Sequence, residues 1–492
     1  MITTGVKEGG DFYTGGMSEA GIHELVIELA RAVERAGGRA FLVGGWVRDL
    51  ERLRLAGSAG QPAADEYDLE VYGLAAEALT PILARTGTVR LVGESFAVYK
   101  VAPARRRPDG APPPSIDVSL PRRDTKVAPG HRGFRVIGDP ALSVEDASRR
   151  RDFTVNAMLH DPLTGETLDP WDGRSDLEAR LLRAVDPATF VEDSLRVLRA
   201  MQFAARLEFA VDPATAALCR TIDLKDLPAE RIRGEMDKLL LRARRPSIGL
   251  EWAERLRIVE QLFPELRALQ GCPQEPEWHP EGDVWIHTLM ALDRAAGESA
   301  GLPEATRLTV MLATLCHDFG KPATTAVVDG RIRSYDHEEA GIEPTRAFLD
   351  RLNVHTLGGY DVRGQVLALV GSHLTPSHWF KNRDNVTDGA FRRLARRLEP
   401  ELLYLVSRAD CLGRTGDFST EAQEWFIARV RSLGVQREPP RPILLGRHLL
   451  ELGFRPGPEM GRVLKAVYEM QLDGRIADLD AARLEARRLA GT

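Results

Sequence analysis

The sequence predicts an α+β protein in which a small mixed β-sheet comes first and helices form the remainder of the chain. Segments with the alternating pattern of strands crowd into residues 40–120. From about residue 140 onward, nearly every segment has the spacing of an amphipathic helix instead. The length of 492 residues also predicts about three domains, since a domain averages roughly 150 residues.

The elements of the first region follow one another closely. GIHELVIELARAVERAGG, which begins at Gly21, predicts an amphipathic helix that a Gly-Gly pair ends. RAFLV predicts a short strand, and WVRDLERLRL, which follows Gly44 and Gly45, predicts a second helix. Four further strands are predicted for YDLEVYG, VRLVGES, FAVYKVAP and SIDVSLP, with ARRRPDGAPPP as a loop between the last two.

Interruptions rich in proline and charge mark the boundaries between the later regions. They fall near 272–283 and 437–443. We therefore expect five regions, which are a flexible extension (1–20), a mixed head (21–145), a helical neck and body (146–272), a second helical module (273–436) and a helical tail (437–492).

Composition argues against several classes of protein. The four cysteines lie far apart without CxxC spacing, so neither a disulfide framework nor a thiolate zinc site is indicated. No apolar run approaches the roughly 18 residues of a membrane span. The N-terminus lacks the charged and apolar regions of a secretory signal. We expect a cytoplasmic protein that does not associate with membranes.

The charge balance is mildly acidic, with 72 acidic against 66 basic residues and a formal net charge of −6. This balance argues against a surface coated with phosphate-binding groups. Only 8 of the basic residues are lysine, so the cation is mostly arginine, which binds phosphate in a bidentate manner. The arginines gather in islands that could follow a nucleic-acid backbone, at 105–107, 122–123, 149–151, 231–233, 242–245 and 392–397.

Carboxylates dominate one face of the strand YDLEVYG. Glu66, Asp68 and Glu70 alternate and point to the same side, and Asp117 lies on a later strand that could be its neighbour. Carboxylates that share a face repel one another unless cations lie between them. Two divalent ions about 4 Å apart, held in this way, serve in-line phosphoryl and nucleotidyl transfer. A solvated strand face is the alternative, and for this strand taken alone it is the better interpretation.

The Gly44-Gly45 pair lies where a strand ends and a helix begins. Free backbone N–H groups and the helix dipole can hold a phosphate at such a corner. Arg48, one turn further on, adds positive charge to the same place. A plain turn is the alternative explanation.

Two later segments contain residues suited to binding a nucleotide. In SRRRDFTVNAM, three arginines precede Asp152; they could neutralise a triphosphate while the carboxylate binds a sugar hydroxyl, or the segment is only a capped helix start. In VEDSLRVLRAMQFAARL, Asp193, Arg196 and Arg199 are spaced to share a helix face. Asp193 can accept from the amino group of C or A while Arg196 donates to the ring, although an ordinary ion pair has the same spacing.

The motifs LVGGWVRD, EYDLEVYG, IDVSLPRRDTK, GHRGF, RRDFTVNAM and VEDSLRVLRAMQFAARL resemble, in content and order, those of class II tRNA nucleotidyltransferases. These are the CCA-adding enzymes, and bacterial poly(A) polymerases belong to the same superfamily. The resemblance runs from about residue 40 to 240. It implies a polymerase-beta-like nucleotidyltransferase head that uses Mg²⁺ as cofactor and tRNA, CTP and ATP as partners.

The resemblance also implies roles for individual residues. Glu66 and Asp68 would be the paired catalytic, metal-binding carboxylates. The nucleotide-binding residues that we expect are Gly44, Gly45 and Arg48 at the phosphate corner, Arg151, Asp152 and Asn156 in the arginine segment, and Asp193, Arg196 and Arg199 for the base.

One position departs from the family pattern, since the first catalytic aspartate is replaced by Glu66. Glutamate is one methylene longer and still binds Mg²⁺, so we expect an activity that is slower or repositioned. Asp68 and Glu70 offer an alternative register for the carboxylate pair. Asp117 is predicted as a third catalytic carboxylate from the strand pattern alone.

The second helical module contains histidines at the edges of predicted helices. His317 and Asp318, with a histidine one helix earlier and an aspartate later, can close round one divalent ion; two further histidines, with His378 as an additional candidate, can hold a second. Isolated core or surface histidines are the alternative. The predicted metal ligands here are His287, His317, Asp318, His337, His373 and Asp410.

The order of these ligands resembles the HD phosphohydrolase superfamily over about residues 275–420. That resemblance implies an all-helical HD domain with a divalent transition metal and a phosphatase or phosphodiesterase activity.

The leading hypothesis is therefore a tRNA nucleotidyltransferase that adds C, A or both to a tRNA 3′ end by two-metal nucleotidyl transfer, alongside this HD activity. The alternatives are a CC-only, A-only or poly(A) enzyme, and an HD phosphohydrolase whose weakened head only binds RNA.

Overall fold

The computed structural model describes residues 19–62, 66–92, 98–102, 115–126 and 134–490. Most of the predicted extension and of the GHRGF motif, and the loop ARRRPDGAPPP, lie outside these residues. The chain divides into two compact units. The first unit consists of Met1–Arg196 and Phe209–Ile222. The second unit consists of Val197–Glu208 and Asp223–Thr492.

The first unit contains the predicted sheet and the helices around it. Its strands are β1 (Arg39–Val43), β2 (Glu66–Tyr72), β3 (Thr88–Val92), β4 (Val98–Ala102), β5 (Ser115–Ser119), β6 (Arg122–Lys126), β7 (Phe134–Gly138), β8 (Leu159–His160), β9 (Thr167–Leu168), β10 (Leu181–Leu182) and β11 (Ala210–Val211). Its helices are α1 (Glu19–Arg35), α2 (Gly45–Leu55), α3 (Ala76–Thr86), α4 (Val144–Ser148), a 3-10 turn (Thr154–Asn156), α5 (Gly173–Glu178), α6 (Pro187–Phe190), the start of α7 (Leu195–Leu207) and α8 (Pro213–Cys219).

Seven strands form one mixed sheet in the order β3-β4-β5-β2-β1-β8-β9. β2 and β5 are parallel, and the other neighbours are antiparallel. Five strands match the segments predicted from the sequence, which confirms the mixed sheet of the head. β8 and β9 were not predicted, because a strand of two residues is too short to show an alternating pattern. They extend the sheet with residues beyond 140, where helices alone were expected.

The burial of β2 differs along its length. Tyr67, Leu69 and Val71 are at most 2% exposed and belong to the core. On the opposite side, Tyr72 packs into an apolar cluster at the end of the strand, together with Phe41, Val43, Leu142, Ala147 and Leu159. Asp68, nearer the start of β2, is exposed. The sheet therefore presents the beginning of this polar face to solvent and buries its end.

The second unit is almost entirely helical, as predicted. Its helices after α7 are α9 (Ala229–Arg242), α10 (Pro246–Arg255), α11 (Ile258–Leu262), α12 (Pro264–Leu269), α13 (Val284–Glu298), α14 (Glu304–Cys316), α15 (Lys321–Thr324), α16 (His337–Ala340), α17 (Ile342–Arg351), α18 (Val362–Val370), α19 (Thr375–Lys381), a 3-10 turn (Arg383–Asn385), α20 (Asp388–Leu394), α21 (Pro400–Leu412), α22 (Glu421–Ser432), α23 (Gly446–Glu451), α24 (Pro458–Leu472) and α25 (Leu479–Ala490). Two short hairpins were not predicted, β12 (Thr325–Val328) with β13 (Arg331–Ser334) and β14 (Thr356–Leu357) with β15 (Tyr360–Asp361).

Packing in this unit brings the predicted metal ligands onto neighbouring helices. α13, α14 and α21 pack against one another, and α14 also packs against α18. The predicted tail forms a separate apolar cluster through α23, α24 and α25, centred on Leu449, Val463 and Val467. Within the described residues, no helix combines the length and the apolar character that a membrane crossing needs.

Gly320 permits a close contact beside the ligand segment, and its substitution tests this packing. A Cβ at Gly320 would collide with the carbonyl oxygen of His337 and lie 2.6 Å from the nitrogen of Gly341. We expect Gly320→Ala to lower the stability of the second unit by about 1–3 kcal/mol, as overpacking does. Thermal unfolding followed by circular dichroism measures the shift.

Gly234→Ala is the matched control, because a Cβ at this position in α9 meets no atom within 4 Å. Replacing a helical glycine with alanine there should raise stability by about 0.5–1 kcal/mol. Equal effects of the two substitutions would contradict the packing that we describe.

Candidate active sites

The parallel pairing of β2 with β5 places two of the predicted catalytic carboxylates side by side. Asp68 lies opposite Asp117 in the register, and residues opposite each other on neighbouring strands share a face. Oδ1 of Asp117 is buried without a hydrogen-bond partner, and Nζ of Lys100 lies 3.6 Å away. The backbone of Glu66 lies two residues earlier on the same strand, but its side chain is outside the described part of the structure.

Glu70 is buried in a cluster of cations rather than open to a metal. Its side chain is 1% exposed and accepts from Nη2 of Arg150 at 2.7 Å. Nη2 of Arg151 lies 3.7 Å away, and the hydroxyl of Tyr72 donates at 3.1 Å. Burial by itself raises the pKa of Glu70, but Arg151 and Arg150 outweigh it and hold that pKa below its ordinary value. The alternative carboxylate register, Asp68 with Glu70, is therefore disfavoured.

The Gly44 corner lies directly against the carboxylate strand. Gly44 has φ 74° and ψ −136°, a conformation that favours glycine. A Cβ at this position would lie 3.5 Å from Oδ2 of Asp68 and 3.7 Å from Nη1 of Arg151. A Cβ at Gly45 would lie 3.5 Å from Nη2 of Arg48. These predicted residues thus come together at the start of α2, where backbone N–H groups are available to a phosphate.

A chain of hydrogen bonds links the corner to the arginine segment. Arg48 is 2% exposed; its Nη1 donates to Oδ1 of Asn156 at 2.9 Å, and its Nε and Nη2 donate to Asp49 at 3.0 Å. Nδ2 of Asn156 donates to Oδ1 of Asp152 at 3.1 Å. Arg48 therefore supports the corner from within rather than facing solvent, which its sequence position could not reveal.

The predicted base-reading residues lie at the start of α7. Nη1 of Arg196 donates to a carbonyl of α6 at 2.7 Å, and its Nη2 donates to the carbonyl of Arg150. Oδ1 of Asp193 accepts from a backbone N–H of α7 at 3.1 Å. Arg199 belongs to the second unit, where its guanidinium lies 5.0 Å from the centre of the Phe203 ring.

The predicted histidines of the second unit are oriented by their Nδ1 atoms. Nδ1 of His317, His337 and His373 lies 2.7, 2.7 and 2.8 Å from the carbonyl oxygen three residues earlier. Because a carbonyl only accepts, each of these Nδ1 atoms carries a proton, and each Nε2 is the ring nitrogen that faces the carboxylates. Nδ1 of His287 lies 2.9 Å from Oε1 of Glu281, which has the same effect.

The Nε2 atoms meet carboxylates in two adjoining groups, whose ligand atoms lie within 4.8 Å of one another in each group. The first group is His287, His317 and Asp410, and the second is Asp318, His337 and His373. Nε2 of His287 lies 3.1 Å from Oδ1 of Asp410. Oδ1 of Asp318 lies 3.5 Å from Nε2 of His337, and its Oδ2 lies 3.1 Å from Nε2 of His317, which joins the groups.

The donor set fits divalent cations. The Nε2 atoms of His287 and His317 face each other at 3.3 Å, as do those of the other two histidines; two unprotonated ring nitrogens this close repel unless a proton or a cation lies between them. Asp318 is 1% exposed, and neither of its oxygens accepts a hydrogen bond of good geometry. Nζ of Lys321 does lie 2.8 Å from Oδ2. A buried carboxylate of this kind is stable only beside positive charge.

The pKa values follow the same charge balance. Burial by itself raises the pKa of Asp318, but His317 and Lys321 hold it well below its ordinary value. Burial lowers the pKa of His317, yet Asp318 and Asp410 raise it above the ordinary value, so the carboxylates stabilise positive charge here. Burial and the adjacent histidines lower the pKa of His373 to about 3. This imidazole is therefore neutral, as a metal ligand must be.

Asp318 contacts both groups rather than one. Its Oδ2 lies 3.1 Å from Nε2 of His317 and 3.8 Å from Nε2 of His287, as the predicted set with Asp410 requires. Its Oδ1 faces the second pair of histidines, 3.5 Å from Nε2 of His337. His378 is exposed and belongs to neither group.

Glu281 and His279 were missed by sequence reasoning. Glu281 is 1% exposed, and its Oε1 lies 2.9 Å from Nδ1 of His279 and 2.9 Å from Nδ1 of His287. A carboxylate behind a metal-ligating histidine fixes its tautomer and orientation. The signal in the sequence was an acid shortly before the first ligand, in EWHPEGDVWIH, next to the N-cap of α13 at Asp283.

A cavity of about 540 Å³ opens beside the two groups. It is lined by basic and aromatic side chains, which include Lys321, Arg333, Lys381, Arg414, Trp278, Phe380 and Phe418. Cations at the wall suit an anionic ligand, and the aromatic rings suit a planar or apolar part of it.

Several arginine islands are occupied by ion pairs. Nη1 of Arg396 lies 2.6 Å from Glu469, and Nη1 of Arg393 lies 2.8 Å from Asp473. The arginines at 231–233 and 242–245 also include members paired with carboxylates. The predicted phosphate track is therefore smaller than the sequence suggests.

Comparison with protein-family models agrees with this architecture. Residues 40–183 match the Poly A polymerase head domain. Residues 208–269 match the probable RNA and SrmB-binding site of polymerase A, and residues 284–415 match the HD domain. The head, the helical body and the module that contains the predicted metal ligands thus correspond to the parts of a known arrangement.

Whole-chain comparisons extend this correspondence. The Multifunctional CCA protein of Xanthomonas campestris is 34% identical over 436 residues, which cover 87% of this chain and 96% of that protein. The CCA-adding enzyme of Bacillus stearothermophilus in complex with CTP shares the fold with a TM-score of 0.61 at 20% identity, over 96% of this chain and 99% of that one. The Thermotoga maritima CCA-adding enzyme complexed with tRNA gives 0.56 at 18% identity, over 96% of each. The chain is a nucleotidyltransferase and belongs to the family of multifunctional CCA proteins.

Proposed function

We propose that this protein adds C and A to the 3′ end of tRNA, using CTP and ATP, in the cytoplasm. The observation that carries the proposal is the meeting of Asp68, Asp117 and Arg151 at the Gly44 corner. Carboxylates for a cation, a guanidinium and a glycine corner for phosphates are the parts that nucleotidyl transfer needs. The relatives known as CCA proteins and the related structures with CTP and tRNA support this choice of substrates.

Each part of the head has a distinct task in the proposed reaction. Glu66, Asp68 and Asp117 would hold Mg²⁺, which when bound neutralises the triphosphate and activates the attacking 3′-hydroxyl. The exposed position of Asp68 and the buried, unsatisfied Oδ1 of Asp117 fit this role. Arg151 binds the triphosphate, and Asp152, held by Asn156, binds the ribose.

Base selection is assigned to Asp193 and Arg196. Two backbone carbonyls hold two nitrogens of the Arg196 guanidinium, which fixes the orientation of its planar fork. Asp193 accepts from the amino group that C and A share and that U lacks. Because the Arg196 side chain is already anchored, it loses less conformational entropy when a nucleotide binds.

The second unit supports a further activity, a metal-dependent phosphatase or phosphodiesterase. Six ligands in two groups would hold divalent transition-metal ions, which when bound polarise the phosphoryl group and supply the hydrolytic nucleophile. Lys321 and Arg414 line the adjoining cavity and would bind the anionic substrate. Glu281 keeps His287 in the ligating tautomer.

Asp68→Asn tests the nucleotidyl-transfer site. The substitution removes a carboxylate charge without changing side-chain size, so metal binding weakens and nucleotide addition should fall by more than about 100-fold. Incorporation of labelled CTP and ATP into tRNA that lacks its terminal nucleotides measures the effect. Glu77→Gln, an exposed substitution on α3, is the control and should keep full activity. Undiminished incorporation by the Asp68 variant would refute the assignment.

His317→Ala tests the second site. Loss of this ligand should remove bound transition metal and lower hydrolysis of bis(p-nitrophenyl) phosphate by about 100-fold, while nucleotide addition persists. Metal content by mass spectrometry and the two assays are run on the same preparation, with the exposed His355→Ala as control. If His317→Ala abolishes the principal activity of the chain and Asp68→Asn does not, the HD site is the catalyst and the head is only an RNA-binding module.

Arg196→Ala tests base selection. Loss of a two-point base contact should reduce the preference for CTP and ATP over UTP by about 10- to 100-fold. Misincorporation of labelled UTP reports the change, and the exposed Arg220→Ala serves as control. Unchanged selectivity would place base reading elsewhere.

The number of nucleotides added separates the activities within this class. The chain is supplied with tRNA ending before the first C, after C and after CC, with CTP, ATP or both. Completion of CCA from all three ends is expected. Stopping at CC, adding only the final A, or extending an A tail would identify the CC-only, A-only or poly(A) alternative.

A further inference from the structure

Glu70 is a buried carboxylate beside the catalytic face that no step of the proposed reaction uses. It lies two residues beyond Asp68 on β2 and is 1% exposed. Its neighbours are Arg150 at 2.7 Å, Arg151 at 3.7 Å and the Tyr72 hydroxyl at 3.1 Å. The occupied oxygens leave little capacity for a metal, so its placement needs another explanation.

We propose that Glu70 is a positioning residue that holds Arg150 and Arg151 together as the cation pair for the triphosphate of the incoming nucleotide. The inference rests on the proposed nucleotidyl transfer and names a residue that this function depends on. Arg151 already reaches the Gly44 corner, since its Nη1 lies 3.7 Å from a Cβ built there. The Glu70 carboxylate thus connects β2, the strand that carries Asp68, to the two arginines proposed to bind the triphosphate.

The physical need for such an anchor is clear from the arginines themselves. Two adjacent guanidiniums repel each other, and each long side chain loses considerable rotamer freedom when a ligand fixes it. A carboxylate that contacts both offsets the repulsion and orders the chains before the nucleotide arrives. Arg150 and Arg151 retain 19% and 16% side-chain exposure, so both remain within reach of a ligand.

A second effect of Glu70 acts in the opposite direction. Its negative charge weakens the attraction of the site for a triphosphate, and replacing it would strengthen that attraction. Glu70 is more buried than the two arginines, and their guanidiniums, at 2.7 and 3.7 Å, already offset its charge. We therefore expect the ordering of the arginines to be the larger effect.

Glu70→Gln separates the two effects because it removes the charge and keeps the size. Titration calorimetry of the full chain should show about 10-fold weaker binding of inorganic tripolyphosphate and of CTP, with CMP binding unchanged. In the addition assay, KM for CTP and ATP should rise by the same factor, while kcat and the discrimination against UTP stay nearly constant. Glu70→Asp, which keeps the carboxylate, should restore part of the affinity.

Glu51→Gln is the matched control. Glu51 is also buried and paired with two arginines in the first unit, at 2.7 Å from Arg54 and 2.8 Å from Arg174. The same chemical change there should leave tripolyphosphate affinity unchanged. A comparable loss in both variants would show that Glu70 acts only through general stability and would overturn the proposal.

Other outcomes also decide the question. The positioning role would be overturned if Glu70→Gln binds tripolyphosphate as tightly as the natural sequence or more tightly. It would also be overturned if the natural sequence does not bind tripolyphosphate. A fall in kcat at constant KM would do the same, because it would indicate a direct role in chemistry. If the natural sequence adds no nucleotide to tRNA, the proposed function fails, whereas the tripolyphosphate titration still tests Glu70.

Discussion

The ion pair between Glu70 and Arg150 joins the carboxylate strand to the arginine segment, and the nucleotide corner of the head depends on this connection. The segment that it fixes sets Arg151 beside Gly44 and directs the carbonyl of Arg150 toward Arg196. The residues proposed for phosphate binding and for base reading are therefore positioned by the same short stretch of backbone. A carboxylate buried this deeply is stable because guanidiniums surround it, so the stability of the fold and the arrangement of the site have a common cause.

The second unit also contains buried carboxylates that need positive charge nearby, but histidines surround them instead of arginines alone. Four imidazoles direct their Nε2 atoms into one region, where the buried carboxylates of Asp318 and Asp410 also converge. Neighbouring helices hold the histidines there, and the carbonyl of each local turn fixes three of the rings. Because the backbone that carries a ring also orients it, these side chains are ordered without a ligand. Lys321 and Arg414 lie beside the carboxylates and compensate part of their charge, and the proposed divalent cations would supply the remainder.

Sequence reasoning succeeded where the determining pattern is local. The alternation of YDLEVYG and SIDVSLP predicted the strands of Asp68 and Asp117, and helix-edge spacing identified six residues that the fold brings together in groups able to hold a metal ion. Sequence reasoning failed where the environment of a side chain depends on an ion-pair partner that is distant in the sequence. Arg396 looked available to a phosphate, but it pairs with Glu469, 73 residues away. Glu70 remained an alternative member of the carboxylate pair for the same reason, since its arginine partners lie about 80 residues later.

The number of arginines overestimates the phosphate-binding surface of this chain, because several of them pair with carboxylates. The net charge of −6 underestimates that surface, because it also counts carboxylates that are buried. Some of the carboxylates that would repel a nucleic acid are instead buried against arginines, and others lie in groups that could hold a cation. Arginines that remain beside Gly44 are few, but they are fixed in place. For a ligand such as a triphosphate, whose charges are concentrated at one point, two ordered guanidiniums bind better than many mobile ones. A mildly acidic protein can therefore act on a polyanion, provided that its cations are placed by buried anions.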